Sequence, residues 1–414
     1  MNTVCVVGAS LAGLLTARAL RKQGYEGRLV VIGEERHRPY DRPPLSKDFL
    51  KGAIDEADLA LEGDGEDPRI EWRLGVAATG LDAASRRITL SDGTSLVADG
   101  IVIATGAAAR RLPGTEGLRG VHTLRTLDDA RALRAELETG RRLVVIGGGF
   151  IGAEVAATAR ELGLGVTLVE SGPAPLAGVV GLTMAQAIAA RHEQRGVRLI
   201  GGACVTEVTG TERADGMRPG GGSLPADGVR PGDGSLRADG VRLGDGTHLP
   251  ADVVVVGIGA VPNTAWLRGS GVELGDGVLC DEGGGTSVPG IVAAGDCAAW
   301  WDPAQGHHHR IEHWTGARQR AAVAAATLLS GGTARPEPAR PAYFWSDQFD
   351  MKIQFIGRAG EADTVTVEEG DPAEGSFLAV YRQAARPVAV LGVNQVRLFT
   401  RWRRNMETAP VQAG

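Results

Sequence analysis

The chain has 414 residues and a formal net charge of −6, a length that corresponds to roughly two to four domains. An acidic balance argues against a nucleic-acid partner over the whole surface. No apolar run reaches the roughly 18 residues needed to span a bilayer, and the first glycine-rich turn comes too early for a signal peptide, so we expect a cytoplasmic protein without a membrane partner.

The chain begins with the pattern of a strand, a glycine-rich turn, a helix and a second strand. The strands are predicted over residues 3–7 and 28–32, with the turn at residues 8–13 and the helix over 11–23. Such a turn directs backbone N–H groups and a helix N-terminus at a pyrophosphate, and small residues let the anion come close. Glu34 follows the second strand, where a carboxylate can accept hydrogen bonds from a ribose.

The same pattern returns in the middle of the chain. Strands are predicted over 142–146 and 166–169, with a turn at 147–152, a helix over 153–162 and Glu170 at the end of the second strand. A carboxylate at that point repels a 2′-phosphate and accepts a hydrogen bond from a free hydroxyl, which favours NADH over NADPH. Two such turns in one chain indicate two dinucleotides, a flavin and a nicotinamide.

Between residues 214 and 250 the sequence repeats about every twelve residues. The third unit and the strand predicted over 253–256 resemble an ordinary hairpin arm, with Gly244-Asp245-Gly246 as the turn. The two earlier units, about 214–237, are rich in Gly, Pro and Asp and poor in apolar residues. We therefore expect them to protrude or to be mobile, because they cannot build a core.

The last third of the chain changes from buried strands to alternating ones. A strand over 291–294 precedes Gly295-Asp296, and a loop over 302–309, a helix over 319–330 and a proline-rich linker over 331–341 follow. The run His307-His308-His309 is interpreted as part of that loop and not as a metal site, because no spaced ligands accompany it. Strands over 352–356, 364–368, 377–381 and 388–393 predict a small antiparallel sheet capped by a final helix.

Several short strings along the chain are similar to one enzyme family. They are GASLAG at 8–13, PYDRPPLSK at 39–47, ATG at 104–106, GGGFIGAEVA at 147–156, AGD at 294–296, RIEHW at 310–314 and FWSDQ at 344–348. The chain resembles the FAD-dependent pyridine-nucleotide oxidoreductases, and most closely the ferredoxin reductases of bacterial oxygenase systems, of the putidaredoxin reductase and biphenyl dioxygenase reductase type. Ser10 replaces the middle glycine of the first turn.

The resemblance implies an α/β fold with two Rossmann-like dinucleotide-binding domains, as in glutathione reductase, and a C-terminal α+β domain. The FAD domain would be assembled from residues 1–112 and 253–330. The NAD domain would span 113–252 with the repeat insert at about 214–237, and the C-terminal domain 331–414. The resemblance leaves the oligomeric state open between monomer and homodimer.

The resemblance also implies cofactor-binding residues. Asp296 matches the acid that holds the flavin ribityl chain, and Trp314 matches the residue whose backbone reaches the flavin pyrimidine edge. The residues implied for FAD are Gly8, Ser10, Ala12, Gly13, Glu34, Arg42, Pro44, Lys47, Ala78, Ala104, Thr105, Gly106, Arg125, Gly295, Asp296 and Trp314. Those implied for NAD are Gly147, Gly149, Ile151, Gly152, Glu170 and Gly259.

Lys47 and Glu154 are implied to meet near the flavin N5 as the catalytic pair. A charged pair there can order the flavin and nicotinamide faces and tune the protonation of the reduced ring. The alternative is an ordinary interdomain salt bridge.

The predicted function is transfer of electrons from NADH through FAD to a small iron-sulfur ferredoxin that supplies an oxygenase, in particular a haem monooxygenase. Cys5, Cys204, Cys280 and Cys297 are widely separated, which argues against a disulfide reductase or a cysteine-type peroxidase. Basic residues that could dock an acidic ferredoxin are Arg310 and the C-terminal cluster Arg397, Arg401, Arg403 and Arg404.

Other functions remain open on the same scaffold. One alternative class comprises a rubredoxin reductase, a nitrite reductase component or an NADH oxidase. The other is a redox-sensing NADH- and FAD-binding protein of the apoptosis-inducing-factor type.

Overall fold

The computed structural model describes residues 1–63, 67–212, 236–303, 305–312, 314–332 and 341–408. The first two units of the tandem repeat lie outside these residues except for Leu236 and Arg237, and so does most of the predicted linker over 331–341.

The N-terminal part of the chain confirms the first predicted strand-helix-strand unit. Strand β1 runs parallel to β2 on one side and to β7 on the other, while β4, β5 and β6 form a separate antiparallel sheet. The strands are β1 (Thr3–Val7), β2 (Arg28–Gly33), β3 (Ile70–Leu74), β4 (Ala78–Asp82), β5 (Arg87–Leu90), β6 (Ser95–Val97), β7 (Gly100–Ile103) and β8 (Ala107–Ala109). The helices are α1 (Leu11–Lys22) and α2 (Asp48–Lys51).

The middle of the chain builds a second parallel sheet. Its strands are β9 (Val121–His122), β10 (Arg142–Ile146), β11 (Gly165–Glu170), β12 (Val197–Gly201), β13 (Val205–Glu212), β14 (Leu236–Leu243), β15 (His248–Pro250), β16 (Val253–Val256) and β17 (Ala260–Pro262). The helices are α3 (Leu127–Thr139), α4 (Phe150–Glu161), α5 (Ala177–Val180) and α6 (Leu182–Gln194). The parallel sheet has the order β12-β11-β10-β16-β9, and β13-β14-β15 is antiparallel.

Two sequence predictions concern this part of the chain, the hairpin arm of the third repeat unit and the strand over 253–256. The third repeat unit forms β14 and β15 around the expected turn, as predicted. Val253–Val256 pairs with β10 in the second sheet, because its run of valines is buried on both faces of that sheet. Residue 253, where the second FAD segment is expected to begin, thus lies in a strand of the second sheet.

The chain then returns to the first sheet. It forms β18 (Leu274–Gly275), β19 (Gly277–Cys280), β20 (Ile291–Ala293), β21 (Ala298–Asp302), β22 (His307–Arg310) and α7 (Trp314–Leu329). Strand β20 pairs with β7 and completes the order β20-β7-β1-β2-β3. The loop predicted over 302–309 is wrong over its last residues, because the backbone of the three histidines pairs with β21 as an edge strand. Polar side chains suit such an edge.

The C-terminal part is an antiparallel sheet capped by a helix, as predicted. Its elements are β23 (Tyr343–Gln348), β24 (Met351–Gly357), β25 (Thr364–Asp371), β26 (Ser376–Gln383), β27 (Arg386–Val393) and α8 (Val396–Thr408), with the order β23-β24-β27-β26-β25. The sequence prediction missed β23 as a strand. Its alternating burial puts Phe344, Ser346 and Gln348 on the inner face.

The three parts of the chain meet through a segment that leaves the first sheet after β2. Tyr40, Leu45 and Phe49 pack in one apolar cluster with residues of α3, α4 and β10. The hydroxyl of Tyr40 accepts a hydrogen bond from the backbone N–H of Leu127 at 2.8 Å. The PYDRPPLSK segment therefore joins the first sheet to the second, and it carries Lys47 into the junction.

Candidate active site

The two glycine-rich turns are built in the same way. Gly8 has φ +120°, and a Cβ on it would lie 2.0 Å from the carbonyl oxygen of Ala104. Gly147 has φ +99°, and its Cβ would lie 2.3 Å from the carbonyl oxygen of Gly257. Any side chain at either position would collide with the neighbouring strand end, so both positions require glycine.

The last glycine of each turn lets the helix pack against the turn itself. A Cβ on Gly13 would lie 1.8 Å from the carbonyl oxygen of Gly8, and a Cβ on Gly152 would lie 2.0 Å from that of Gly147. The helix N-terminus is thus held against the strand end, where its free N–H groups can bind an anion.

The middle residue of each turn is a helix N-cap with extended backbone, Ser10 for α1 and Gly149 for α4. The Ser10 hydroxyl accepts a hydrogen bond from Arg42. A Cβ on Gly149 would meet no atom within 4 Å. Neither N-cap satisfies the helix through its own side chain, so both ends fit a pyrophosphate that approaches the backbone closely.

Arg42 places a positive charge beside the first turn. Its guanidinium donates to the Ser10 hydroxyl at 3.2 Å, to a carboxylate oxygen of Glu35 at 2.6 Å and to the carbonyl oxygen of Arg125 at 2.5 Å. These hydrogen bonds hold the Arg42 guanidinium at the N-terminus of α1. A phosphate group there would be held by the charge of Arg42 and by hydrogen bonds from the helix N-terminus.

Asp296 completes this side of the site. One of its carboxylate oxygens accepts from the Arg125 guanidinium at 2.5 Å, which also donates to the carbonyl oxygen of Ala107 at 2.9 Å. Gly295 has φ +78°, and a Cβ on it would lie 2.7 Å from Cβ of Ala12. This close contact brings the Asp296 carboxylate beside α1, where it can accept from adjacent hydroxyls.

The acid after β2 is the one predicted residue that lies apart from this network. Glu34 is exposed, and its neighbour Glu35 is half-buried and binds both Arg42 and the Tyr40 hydroxyl, the latter at 2.5 Å. Val7 pairs with Ile32 as Ile146 pairs with Val169, so Gly33 occupies the place that Glu170 has in the second unit. Neither Glu34 nor Glu35 is therefore the register equivalent of Glu170.

The remaining predicted flavin residues lie in the loop after β7, at the start of β4 and in the 3₁₀ turn after Arg42. The Thr105 hydroxyl donates to the carbonyl oxygen of Asn263 at 2.7 Å, and the side-chain amide of Asn263 donates to the carbonyl oxygen of Thr105 at 3.0 Å. These two hydrogen bonds fix the loop between β7 and β8. Gly106 has φ +64° within that loop. Ala78 begins β4 and is half-buried, and Pro44 lies in the 3₁₀ turn Pro43–Ser46.

Glu170 closes the second turn. One carboxylate oxygen accepts from the N–H of Gly148 at 2.5 Å and the other from that of Gly172 at 2.7 Å. Ile151 is exposed in the first turn of α4, and Gly259 has φ +101° with open space at its Cβ position. These residues surround the turn on its solvent side.

A cleft opens beside Glu170. Its volume is ≈ 370 Å³, and its lining includes Pro173 and Pro175 from the loop after β11, Gln186 and Ala189 from α6, and Ile200 from β12. The Glu170 side of this cleft borders the residue that closes the second turn.

Lys47 and Glu154 form a buried ion pair at the junction. The Nζ of Lys47 lies 2.9 Å from a carboxylate oxygen of Glu154, and their side chains are only 14% and 6% exposed. The hydroxyl of Ser46 donates to the same oxygen, and that of Ser346 donates to the other at 2.7 Å. The carboxylate is thus held by donors from the PYDRPPLSK segment and from β23, as well as by its own helix.

Trp314 begins α7, as the predicted role requires. Its indole N–H donates to a carboxylate oxygen of Asp41 at 2.9 Å. Burial raises the pKa of Asp41, which this bond partly offsets. The guanidinium of Arg318 lies 4.6 Å above the indole, and the ring of Trp345 lies 5.6 Å away edge-on. The N-terminus of α7 therefore points to the same junction.

The cysteines do not form a redox centre among the described residues. Cys5, Cys280 and Cys297 are buried, free thiols, and Cys204 is exposed. Burial raises the pKa of Cys5 to about 12 and also raises the pKa of Cys280 and Cys297. Such thiols stay protonated and unreactive at neutral pH.

The basic residues separate into a buried and an exposed group. Arg310 is only 11% exposed and pairs with Asp276 at 3.1 Å and with Glu312, so its charge is balanced within the chain. Arg397, Arg401 and Arg404 are exposed on α8. Arg403 pairs with Glu407 at 2.8 Å and lies over the ring of Tyr343. Helix α8 thus presents three exposed arginines.

In the part of the chain that the structure describes, no helix is long and apolar enough to cross a membrane. The same residues contain no group of three or more histidine, cysteine or acidic side chains that could hold a metal ion.

Family models match almost the whole chain. The model described as pyridine nucleotide-disulphide oxidoreductase matches residues 2–321, and the one described as reductase C-terminal matches residues 343–412. The chain is 37% identical to the biphenyl dioxygenase system ferredoxin–NAD(+) reductase component of Paraburkholderia xenovorans, over 97% of this chain and 92% of that protein.

Solved structures give the same relationship. The covalent putidaredoxin reductase–putidaredoxin complex aligns with a TM-score of 0.87 at 31% identity, covering 98% of this chain and 93% of that chain. The ferredoxin reductase for the CYP199A2 system from Rhodopseudomonas palustris aligns with a TM-score of 0.85 at 35% identity, covering 100% of this chain and 97% of that chain.

Proposed function

The chain belongs to the pyridine nucleotide-disulphide oxidoreductase family, and from this membership we propose that it is an NADH-dependent flavoprotein that passes electrons through FAD to a small iron-sulfur ferredoxin. The observation that carries the proposal is the buried pair Lys47–Glu154 between two dinucleotide turns, with no cysteine pair beside it among the described residues. Bound FAD accepts electrons in pairs and releases them singly, which connects a two-electron donor with a one-electron acceptor.

The first turn holds the flavin nucleotide in this proposal. The N-terminus of α1 and the Arg42 guanidinium bind its pyrophosphate, and Asp296 accepts hydrogen bonds from its hydroxyls. Trp314 presents the positive end of α7 to the pyrimidine edge, where negative charge develops on reduction.

The second turn holds the nicotinamide nucleotide. Gly149 lets its pyrophosphate touch the N-terminus of α4, and Glu170 accepts from a ribose hydroxyl. Lys47 and Glu154 order the two ring faces where they meet. Their burial excludes water, so the pair keeps a fixed orientation during transfer.

We propose the domain limits that follow from these assignments. An FAD domain comprises residues 1–112 and the segment from the end of β16 to 330, an NAD domain comprises 113 to the end of β16, and a C-terminal domain comprises 331–414. The sheet order β20-β7-β1-β2-β3, which joins both FAD segments, supports this division.

We also propose that the ferredoxin supplies a haem monooxygenase and that the protein works in the cytoplasm.

The decisive experiment mixes the FAD-loaded protein with NADH in a stopped-flow instrument and then offers each ferredoxin encoded in the same genome. Fast reduction of FAD followed by fast reduction of one ferredoxin is expected. Turnover only with a rubredoxin or with oxygen would favour a rubredoxin reductase or NADH oxidase. Slow reduction with a long-lived charge-transfer band would favour the redox sensor.

Preference for NADH over NADPH is expected, by at least about ten-fold in kcat/KM, because the Glu170 carboxylate repels a 2′-phosphate. The variant Glu170→Gln keeps one acceptor oxygen and removes the charge. It should reduce the preference about ten-fold, mainly by improving NADPH. Steady-state kinetics with both donors measure this, and a wild-type preference for NADPH would contradict the assignment of Glu170.

Reduction of the ferredoxin should depend on salt, while reduction of ferricyanide should not. Exposed arginines on α8 attract an acidic partner over a distance that salt shortens. We expect Arg397→Ala with Arg401→Ala to lower kcat/KM for the ferredoxin several-fold at low ionic strength and to leave ferricyanide reduction unchanged. An identical salt response of both acceptors would count against docking on α8.

A further inference from the structure

Strand β23 carries polar side chains into a place where apolar ones would be expected. Ser346 and Gln348 are fully buried on its inner face, beside the apolar Phe344. Burial of a hydroxyl and an amide is costly unless their hydrogen bonds are satisfied. Two polar residues in one buried row therefore indicate that they serve a partner.

That partner is the Glu154 carboxylate. Ser346 donates to it at 2.7 Å, Gln348 donates to the Ser346 hydroxyl at 3.0 Å, and the side-chain oxygen of Gln348 lies 2.7 Å from Nε2 of His192 on α6. His192 is also fully buried. A continuous chain of hydrogen bonds thus runs from the catalytic pair through the C-terminal sheet to α6.

The direction of every bond in this chain is determined. A carboxylate only accepts, so the single hydroxyl hydrogen of Ser346 points to Glu154. Gln348 must then donate its amide hydrogen to Ser346, which turns its oxygen toward His192. Nε2 of His192 therefore carries the hydrogen, and its Nδ1 is buried without a partner among the described residues. All donors point toward the one negative charge.

The end of the hairpin holds this chain in place from outside. Asp350 pairs with Arg191 of α6 and, at 2.9 Å, with Arg195, the residue that follows this helix. The ring of Phe349 contacts His192 edge-on, with centroids 5.1 Å apart. The C-terminal sheet is therefore fixed to α6 at His192, where the series of hydrogen bonds ends. Gln348 cannot move without breaking these contacts.

We propose that Ser346, Gln348 and His192 are positioning residues of the hydride-transfer site, which hold the Glu154 carboxylate in the orientation that pairs it with Lys47. The inference rests on the proposed function. It makes the C-terminal domain a contributor to the reaction centre in addition to any part it has in docking the acceptor.

The test is the rate at which NADH reduces the FAD of the holoenzyme. Ser346→Ala should slow it about ten-fold, the scale of one hydrogen bond to a charged group, with FAD content and the Kd of NADH unchanged. In a Glu154→Ala background the same substitution should slow it no further, because the two residues act as one unit. Tyr381→Phe is the matched control, since it removes a buried hydroxyl that bonds the carbonyl oxygen of Val180 at 2.6 Å, away from Glu154.

A second readout does not depend on activity. With ¹⁵N-labelled histidine, the signal of His192, assigned with His192→Asn, should report a neutral ring with hydrogen on Nε2. Gln348→Leu should abolish this fixed tautomer, and it serves as the kinetic variant if Ser346→Ala does not fold. An equal slowing in both backgrounds, or an equal slowing by Tyr381→Phe, would overturn the positioning role. Failure of NADH to reduce the wild-type protein would instead overturn the proposed function.

Discussion

The variant Lys47→Ala is expected to reduce its bound FAD with NADH about a hundred-fold more slowly than the wild type, with normal FAD content. Removal of the ammonium group leaves the facing rings without the charge that orders them, and small misplacements at such a point cost rates of this order. It also leaves the Glu154 carboxylate buried without its cation, which should lower the free energy of unfolding by about 3 kcal/mol. Stopped-flow reduction and denaturant unfolding measure the two effects.

Two further variants separate catalysis from stability. Lys47→Met with Glu154→Gln removes both charges at similar volume, so we expect stability to return to within about 1 kcal/mol of the wild type while the rate stays low. Lys51→Ala breaks a half-exposed ion pair, 2.5 Å long, between Lys51 on α2 and Glu161 on α4. This control should cost less than about 1 kcal/mol and leave the rate unchanged. If Lys47→Ala keeps the full rate, the pair is an ordinary interdomain salt bridge.

The parts of this site that the sequence predicts are those fixed by local chemistry. Gly8 and Gly147 adopt a backbone that side chains disfavour, and the buried strands before them read as apolar runs. These signals lie within a few residues of one another. The turns, the helices after them and the acid Glu170 therefore follow from the sequence alone.

The parts that it could not predict depend on distant segments. Glu34 and Glu35 are both acids after a strand, and the contacts of Glu35 with Arg42 and Tyr40 distinguish them. Ser346 and Gln348 belong to the FWSDQ string, but that string does not show what they contact, because Glu154 lies at a sequence separation of 192 from Ser346. Only the contact with the Gln348 side-chain oxygen determines which ring nitrogen of His192 carries the hydrogen.

The junction also explains why the ion pair is buried although it joins separate sheets. Segment 39–47 packs on α3 and α4, and β23 packs on the start of α4 through Phe344, whose ring lies 4.4 Å from that of Phe150. Water is excluded by three layers that no single domain provides. Any motion that separates these layers would expose Glu154 and uncouple Lys47, so the site favours a rigid arrangement.

The second large effect is expected from Gly149→Val, which should raise the Kd of NADH about a hundred-fold without changing FAD content. A Cβ at this position meets no protein atom within 4 Å, so we expect the free protein to tolerate the substitution apart from about 1 kcal/mol for a poorer N-cap. The isopropyl group instead fills the space through which a pyrophosphate reaches the N-terminus of α4.

This variant also separates the two turns. Titration of the holoenzyme with NADH under anaerobic conditions gives the affinity, and flavin absorbance of the purified protein gives the FAD content. Gly360→Val is a matched control, because a Cβ there also meets no atom within 4 Å and the residue lies in the 3₁₀ turn Ala359–Glu361, in the C-terminal part of the chain. Loss of FAD from Gly149→Val would reverse the assignment of the turns, since a residue that contacts only the visiting nucleotide cannot affect the resident one. An unchanged Kd would place NADH elsewhere, and Glu170 and Lys47 would lose their roles with it.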